Sequence, residues 1–195
     1  MNKKLLGCGV VVGILLIFGL WAMSGYNNLV SLEEGVKQAW SQVENVYQRR
    51  ADLIPNLVET VKGAANFERD TFTAVVEARA KVGQVQFAGV PDAQQFAQFQ
   101  QAQEGLSSAL SRLLVVVEKY PELKATEAFR DLQAQLEGTE NRITVERGRF
   151  TEAAQAFNTA RRRFPTVLIA GLLGFKEKPY FEARPGSDQP PKVQF

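Results

Sequence analysis

From Leu5 to Met23 the chain reads LLGCGVVVGILLIFGLWAM, without a single charged residue. About 20 apolar residues in a helix cross the hydrocarbon core of a bilayer, so this run is long enough to span one. Lys3 and Lys4 precede it, Glu33 and Glu34 follow it, and the first basic residue beyond it is Lys37. Basic residues near a span stay on the cytoplasmic side. The asymmetry predicts a cytoplasmic N-terminus at residues 1–4, a transmembrane helix at 5–25 and the rest of the chain outside. Trp21 and Tyr26 stand where interfacial aromatics belong. Cleavage as a signal peptide would have to follow Ala22 or Ser24, a poor site. "LLGC" at Leu5 to Cys8 has the letters of a lipoprotein box, but the apolar run follows the cysteine instead of preceding it.

Beyond the run, apolar residues recur at spacings of three and four: Leu29, Leu32, Val36, Ala39, Val43, Val46, then Arg50, Leu53 and Leu57. A second stripe at sevens holds Trp40, Tyr47, Ile54 and Val61. Together they make the wide apolar face of a bundle helix. Both stripes keep phase across Pro55. A proline inside a helix costs about 3 kcal/mol, yet a turn would have no reason to preserve phase. Pro55 is therefore expected to kink one continuous helix, with Asp52 capping the amides beyond the break.

Gly63 is a stop signal and Asn66 a cap for a second helix carrying Phe67, Phe72, Val75, Val76 and Val82. Asp92 can cap a third, with Phe96, Phe99, Leu106, Leu110, Leu113, Val117 and Tyr120 on its stripe and Pro121 as its stop. A fourth starts near Thr126, carries Phe129, Leu132, Leu136, Ile143, Phe150, Phe157 and Phe164, and stops at Pro165. The expected fold is all-α: the transmembrane helix, then an antiparallel four-helix bundle over 26–164 whose long first helix is kinked. Residues 165–181 are expected to form an apolar C-terminal segment, and 182–195 a flexible Pro-rich tail.

The chain has 195 residues, no histidine, one cysteine and a net charge of +2. A Ser-His-Asp triad, a Cys-His pair and a histidine-containing zinc site cannot be built from it. The balanced charge argues against nucleic acid as a partner. The expectation is a protein that is no enzyme and takes no cofactor.

Several runs then carry a resemblance. "AWSQVENVYQRRADLIPNLVETVKG", "TFTAVVEARAKV", "LSRLLVVVEKYPELKATEAFRDLQAQLEGTENRITVERGRF" and "FNTARRRFPTVLIAGLLGFKEKPYFEA" resemble the LemA family of bacterial membrane proteins, over nearly the whole chain after the apolar run. The resemblance implies a short N-terminal segment, a single transmembrane helix and an antiparallel helical bundle in a bacterial membrane. With the charge asymmetry, the expected place is the inner (cytoplasmic) membrane, with the bundle on its extracytoplasmic side. It implies no established enzymatic activity. Ala64 stands where the family often has tyrosine, and Phe67 where it often has histidine before Glu68, so chemistry from that pair is absent here. Relatives occur beside genes for a membrane zinc protease. That association suggests membrane organisation or quality control by analogy alone, and the expected role is a membrane-anchored scaffold or interaction module. The alternative is an accessory factor for envelope proteolysis or signalling that presents partners to a membrane enzyme. The expected partners are the lipid bilayer, further copies of the chain as a homo-oligomer, and a membrane protease or other envelope protein.

Candidate residues follow from departures in the pattern. Arg50 falls on the apolar stripe, flanked by Arg49 and Asp52. It is either an anchor for a partner's carboxylate or half of an internal salt bridge to Glu140 or Glu146 that fixes register. "EGTENR" packs Glu137, Glu140, Asn141 and Arg142 together. With Glu44 and Glu59 these carboxylates suggest a di-metal site, but such sites need a Glu-x-x-His pair on two helices. An inter-helix hydrogen-bond network is expected instead, and no metal. Arg161, Arg162 and Arg163 form a basic cluster at a helix end, suited to macrodipole compensation or to anionic headgroups. After them, Val167, Leu168, Ile169, Leu172, Leu173 and Phe175 make an apolar run too short to span a membrane. It serves as a cap on the bundle, an interfacial insertion or a docking patch. Gly9 and Gly13 form a GxxxG, which lets two spanning helices approach closely.

Overall fold

A computed structural model describes residues 3–62, 69–85 and 87–181. All regular structure among the described residues is helical: α1 (Lys3–Lys62), α2 (Arg69–Gln84), α3 (Ala93–Val117), the single turn α4 (Pro121–Lys124), α5 (Glu127–Arg162) and α6 (Thr166–Leu172). The proposed stop at Gly63, the Asn66 cap, Ala64, Phe67 and the tail from 182 lie outside the described residues.

The membrane-length run and the first packing helix are one element. α1 continues without interruption through residue 25 and through Pro55. Its first part is bare: Val12, Ile14 to Phe18, Leu20 and Met23 are exposed. Its second part is amphipathic, with Leu29, Val36, Trp40, Val43, Tyr47, Ile54, Leu57 and Val61 buried. Burial on both sides of Pro55 gives the chain a reason to stay helical through it.

Proline supplies no N–H, so the carbonyl four residues before it loses its helical donor. That carbonyl belongs to Ala51, and the Arg79 guanidinium of α2 supplies the missing hydrogen bond, Nε donating to the oxygen at 2.9 Å. Asp52, expected to support the break, is exposed and makes no hydrogen bond with a described residue. Support for the break comes from a neighbouring helix.

The other helices start and stop for local reasons. Asp92 caps α3 in a reciprocal capping box with Gln95. α3 ends at Val117, before the expected stop, and Pro121 instead opens α4 at its first position, where its missing N–H costs nothing. Thr126 caps α5 through the Phe129 amide. α5 ends at Arg162, and Arg163, two residues before Pro165, is already extended at φ −70° and ψ 139°. Phe164 therefore leaves the stripe of α5 and is exposed, and Val76 is exposed on α2, both corrections to the expected apolar faces.

Directions follow from contacts. Trp40 meets Phe150, Arg50 meets Glu140 and Glu33 meets Lys178, so α5 and the segment after it run antiparallel to α1. Trp40 and Tyr47 meet Phe99 while Arg50 meets Ser107, so α3 runs parallel to α1. Lys62 lies over Phe72 and Arg79 reaches Ala51, so α2 runs back. Two apolar cores result. One, nearest the bare part of α1, gathers Leu29, Trp40, Phe96, Phe150 and Phe157. The other, at the far end, gathers Ile54, Leu57, Leu106, Leu113 and Phe129.

Candidate functional site

Between the two cores lies a polar layer. Arg50 of α1, Gln103 of α3 and Thr139 of α5 are all buried there. One Arg50 amino group donates to Ser107 Oγ at 2.9 Å and to Glu140 Oε2 at 3.2 Å. The other donates to the side-chain and backbone oxygens of Gln103. The guanidinium also stacks on the Tyr47 ring, 5.0 Å from its centroid. Burial pulls the Arg50 pKa down and pushes the Tyr47 phenol up, because a low-dielectric surround penalises the charged form of each. Arg50 remains a cation, since arginine stays protonated in proteins. Its Nε–H meets no acceptor among the described residues.

The structure thus joins Arg50 to Glu140, across α1 and α5, and leaves the other candidates of this group apart. Arg49, Asp52, Asn141 and Arg142 are exposed, and Glu137 accepts from Gln133 within its own helix. Glu59 pairs with Lys62. Glu146 pairs with Arg149. Half-buried Glu44 lies beside the Trp40 indole; burial raises its pKa, and the indole N–H opposes the shift without closing a full hydrogen bond. A groove of about 600 Å³ opens beside the polar layer between α3 and α5, walled by Ser107, Ser111, Leu114, Leu136 and Glu140.

The second candidate region is the end of the molecule beside the bare helix. α6 packs against both α1 and α5. Ile169 and Ala170 are its buried face, and a Cβ built on Gly25 would lie 3.3 Å from Ile169 Cδ1. Gly174, at φ +75°, ends α6 in the left-handed conformation that glycine tolerates. The Phe175 amide then closes back on the Ala170 carbonyl, and its ring returns to Tyr26 and Phe157. From there the chain runs extended along α5. Asn158, fully buried, donates to the Lys178 carbonyl and the Tyr180 hydroxyl and accepts from the Lys178 amide. Phe181 closes over Phe96, with Arg147 above its ring.

This arrangement divides the C-terminal candidates. Ile169 and half-buried Phe175 belong to the protein's own packing, whereas Val167, Leu168, Leu172 and Leu173 face outward. The basic cluster is also divided. Arg161 donates to the Phe175 carbonyl and, with Arg162, pairs with Glu177. Arg163 is exposed, with no ion pair to a described residue. Gly9 and Gly13 have open space where a Cβ would stand.

A family model described as the LemA family matches residues 39–195, which take in both cores except for what α1 contributes before Ala39, Leu29, Leu32 and Val36 included. The chain belongs to the LemA family. Among similar proteins, Magnetosome protein MamQ 2 of Paramagnetospirillum magneticum is 26% identical, the match covering 93% of this chain and 74% of the relative. Magnetosome protein MamQ of Magnetospirillum gryphiswaldense is 27% identical, over 85% and 67% respectively. Protein LemA of Metamycoplasma hominis is 21% identical, over 80% and 68%. Family membership accounts for the runs that resemble it. The buried polar residues Gln103, Thr139 and Asn158 were not singled out from the sequence, although each is a polar residue on a face that is otherwise apolar.

Proposed function

We propose that this protein is a membrane-anchored, non-enzymatic scaffold of the bacterial cell envelope, with a four-helix bundle held against the extracytoplasmic face of the inner membrane. The observation that carries this reading is the continuity of α1: a membrane-length apolar helix, largely exposed from Val12 to Met23, passes without a joint into the centre of two packed cores. A flexible tether would only restrict diffusion, whereas a rigid one fixes the orientation of whatever the helix faces hold. The buried polar side chains support a structural role, because Arg50 and Asn158 spend their hydrogen bonds on the protein itself.

Crosslinking in intact membranes followed by mass spectrometry tests the reading. Recovery of further copies of the chain, or of a constant set of envelope proteins, is the expected result. Capture of a membrane protease as the dominant partner would favour the accessory-factor reading, for which the groove beside Arg50 offers a place for a peptide. Orientation is tested separately, with a reporter active only in the cytoplasm fused after Phe195. Strong signal in intact cells would overturn the placement.

A further inference from the structure

We infer that the outward face of α6 sits in the headgroup region of the bilayer, a second lipid contact beside the spanning helix. The inference rests on the membrane placement proposed above. Leu168 and Leu172 stand one turn apart on one face of α6 and are 60% and 87% exposed, and Phe164, just ahead of the helix, is 81% exposed. The opposite face, Ile169 and Ala170, is buried on α1 and α5. An apolar stripe left open by a helix that is otherwise docked needs an occupant.

Position identifies that occupant. α6 docks at Gly25 and the segment after it at Tyr26, directly after the exposed run that ends at Met23. A helix advances about 1.5 Å per residue, so the contact lies within roughly 5 Å of the end of the run along its axis. If the run crosses a bilayer, α6 is at its surface. Distribution points the same way. Among the described residues beyond Tyr26 and before α5 ends, the large exposed apolar side chains are the scattered valines Val76, Val115 and Val145. The contiguous exposed apolar surface is gathered at the end where α1 is bare. Arg163 and Lys176 flank the stripe, both exposed and without an ion pair to a described residue, and suit anionic phosphates at that depth. Arg161 and Arg162 do not, being held by Glu177.

The test uses the full chain in phosphatidylcholine–phosphatidylglycerol vesicles. In a Cys8→Ser background, a fluorophore is placed in turn at Leu172→Cys, at Leu168→Cys, at Ile17→Cys in the run and at Glu122→Cys at the far end. Each is exposed to lipid carrying a nitroxide just below the headgroup and, separately, to aqueous iodide. The expected result is lipid quenching at positions 17, 168 and 172, and iodide quenching only at 122. Quenching at 17 by lipid, with 168 and 172 open to iodide like 122, overturns the inference and leaves the anchored scaffold standing. Shielding of 168 and 172 from both quenchers also overturns it, in favour of a protein surface, a second copy included. Absence of lipid quenching at 17 removes the membrane placement itself and the inference with it.

Discussion

Arg79 of α2 donates its Nε–H to the carbonyl of Ala51 at 2.9 Å, the one carbonyl in α1 that Pro55 deprives of a donor. An interhelical hydrogen bond thus completes an intrahelical ladder. The pairing makes the two residues energetically dependent on each other. Arg79→Leu in the native background should cost about 1–3 kcal/mol, the desolvation penalty of an unpaired acceptor. In a Pro55→Ala background residue 55 regains an N–H for Ala51, and the same change should cost much less. A double-mutant cycle on urea unfolding measures the difference. Equal costs in both backgrounds would show that Arg79 matters for some other reason.

Arg50 and Gln103 should behave as a unit. Replacing Arg50 with methionine keeps the packing volume but leaves the buried Gln103 amide without its donor, at about 1–3 kcal/mol. Adding Gln103→Leu removes the orphan and should restore most of that loss, since apolar replacement of buried polar groups is often tolerated. Glu140 is 54% exposed, so Glu140→Gln should cost under about 1 kcal/mol. A doubly substituted chain less stable than Arg50→Met alone would contradict this picture.

Asn158 holds the chain after α6 in place through both backbone groups of Lys178. Asn158→Leu fits the apolar surround yet abandons these bonds. The expected effect is about 2–3 kcal/mol, at roughly 1 kcal/mol per hydrogen bond, together with faster proteolysis between Lys176 and Phe181. Limited proteolysis with mass mapping reads this directly, and unchanged cleavage there would argue against the clamp.

Glu44 links stability to pH. Burial raises its pKa above the ordinary value of about 4.5, so the folded state favours the neutral acid. Such a group contributes stability below the unfolded value and loses it as pH rises through the folded one. Glu44→Gln stays neutral throughout. The stability of the native chain relative to Glu44→Gln should therefore fall between acidic and neutral pH. Denaturation midpoints of both proteins across that range check it, and a constant difference would remove the linkage.

The helical faces were legible in the sequence because burial repeats: Val36, Val43 and Ile54 announce themselves by spacing alone. The continuity through Pro55 was legible for the same reason, since phase survives a missing hydrogen bond. The partner of the Ala51 carbonyl was not, because it depends on which residue of another helix lies opposite. Asn158 was hidden for a related cause: its partners are backbone groups of Lys178, which carry no signature in side-chain pattern. The C-terminal run shows the remaining limit. Composition marks Leu168, Ile169 and Leu172 alike as apolar, and only the docking of α6 on Gly25 separates the inward residue from the outward two.

An unjointed α1 also makes the protein a lever. About 55 Å of helix extend past the proposed span, at 1.5 Å per residue. A spanning helix longer than the local hydrocarbon thickness relieves the mismatch by tilting. Any such tilt would be passed along α1 toward the far core around Ile54 and Phe129, because the helix is continuous from the apolar run to that core. A bilayer that thins or thickens would then swing the distal tip sideways by several ångströms, turning membrane thickness into lateral displacement.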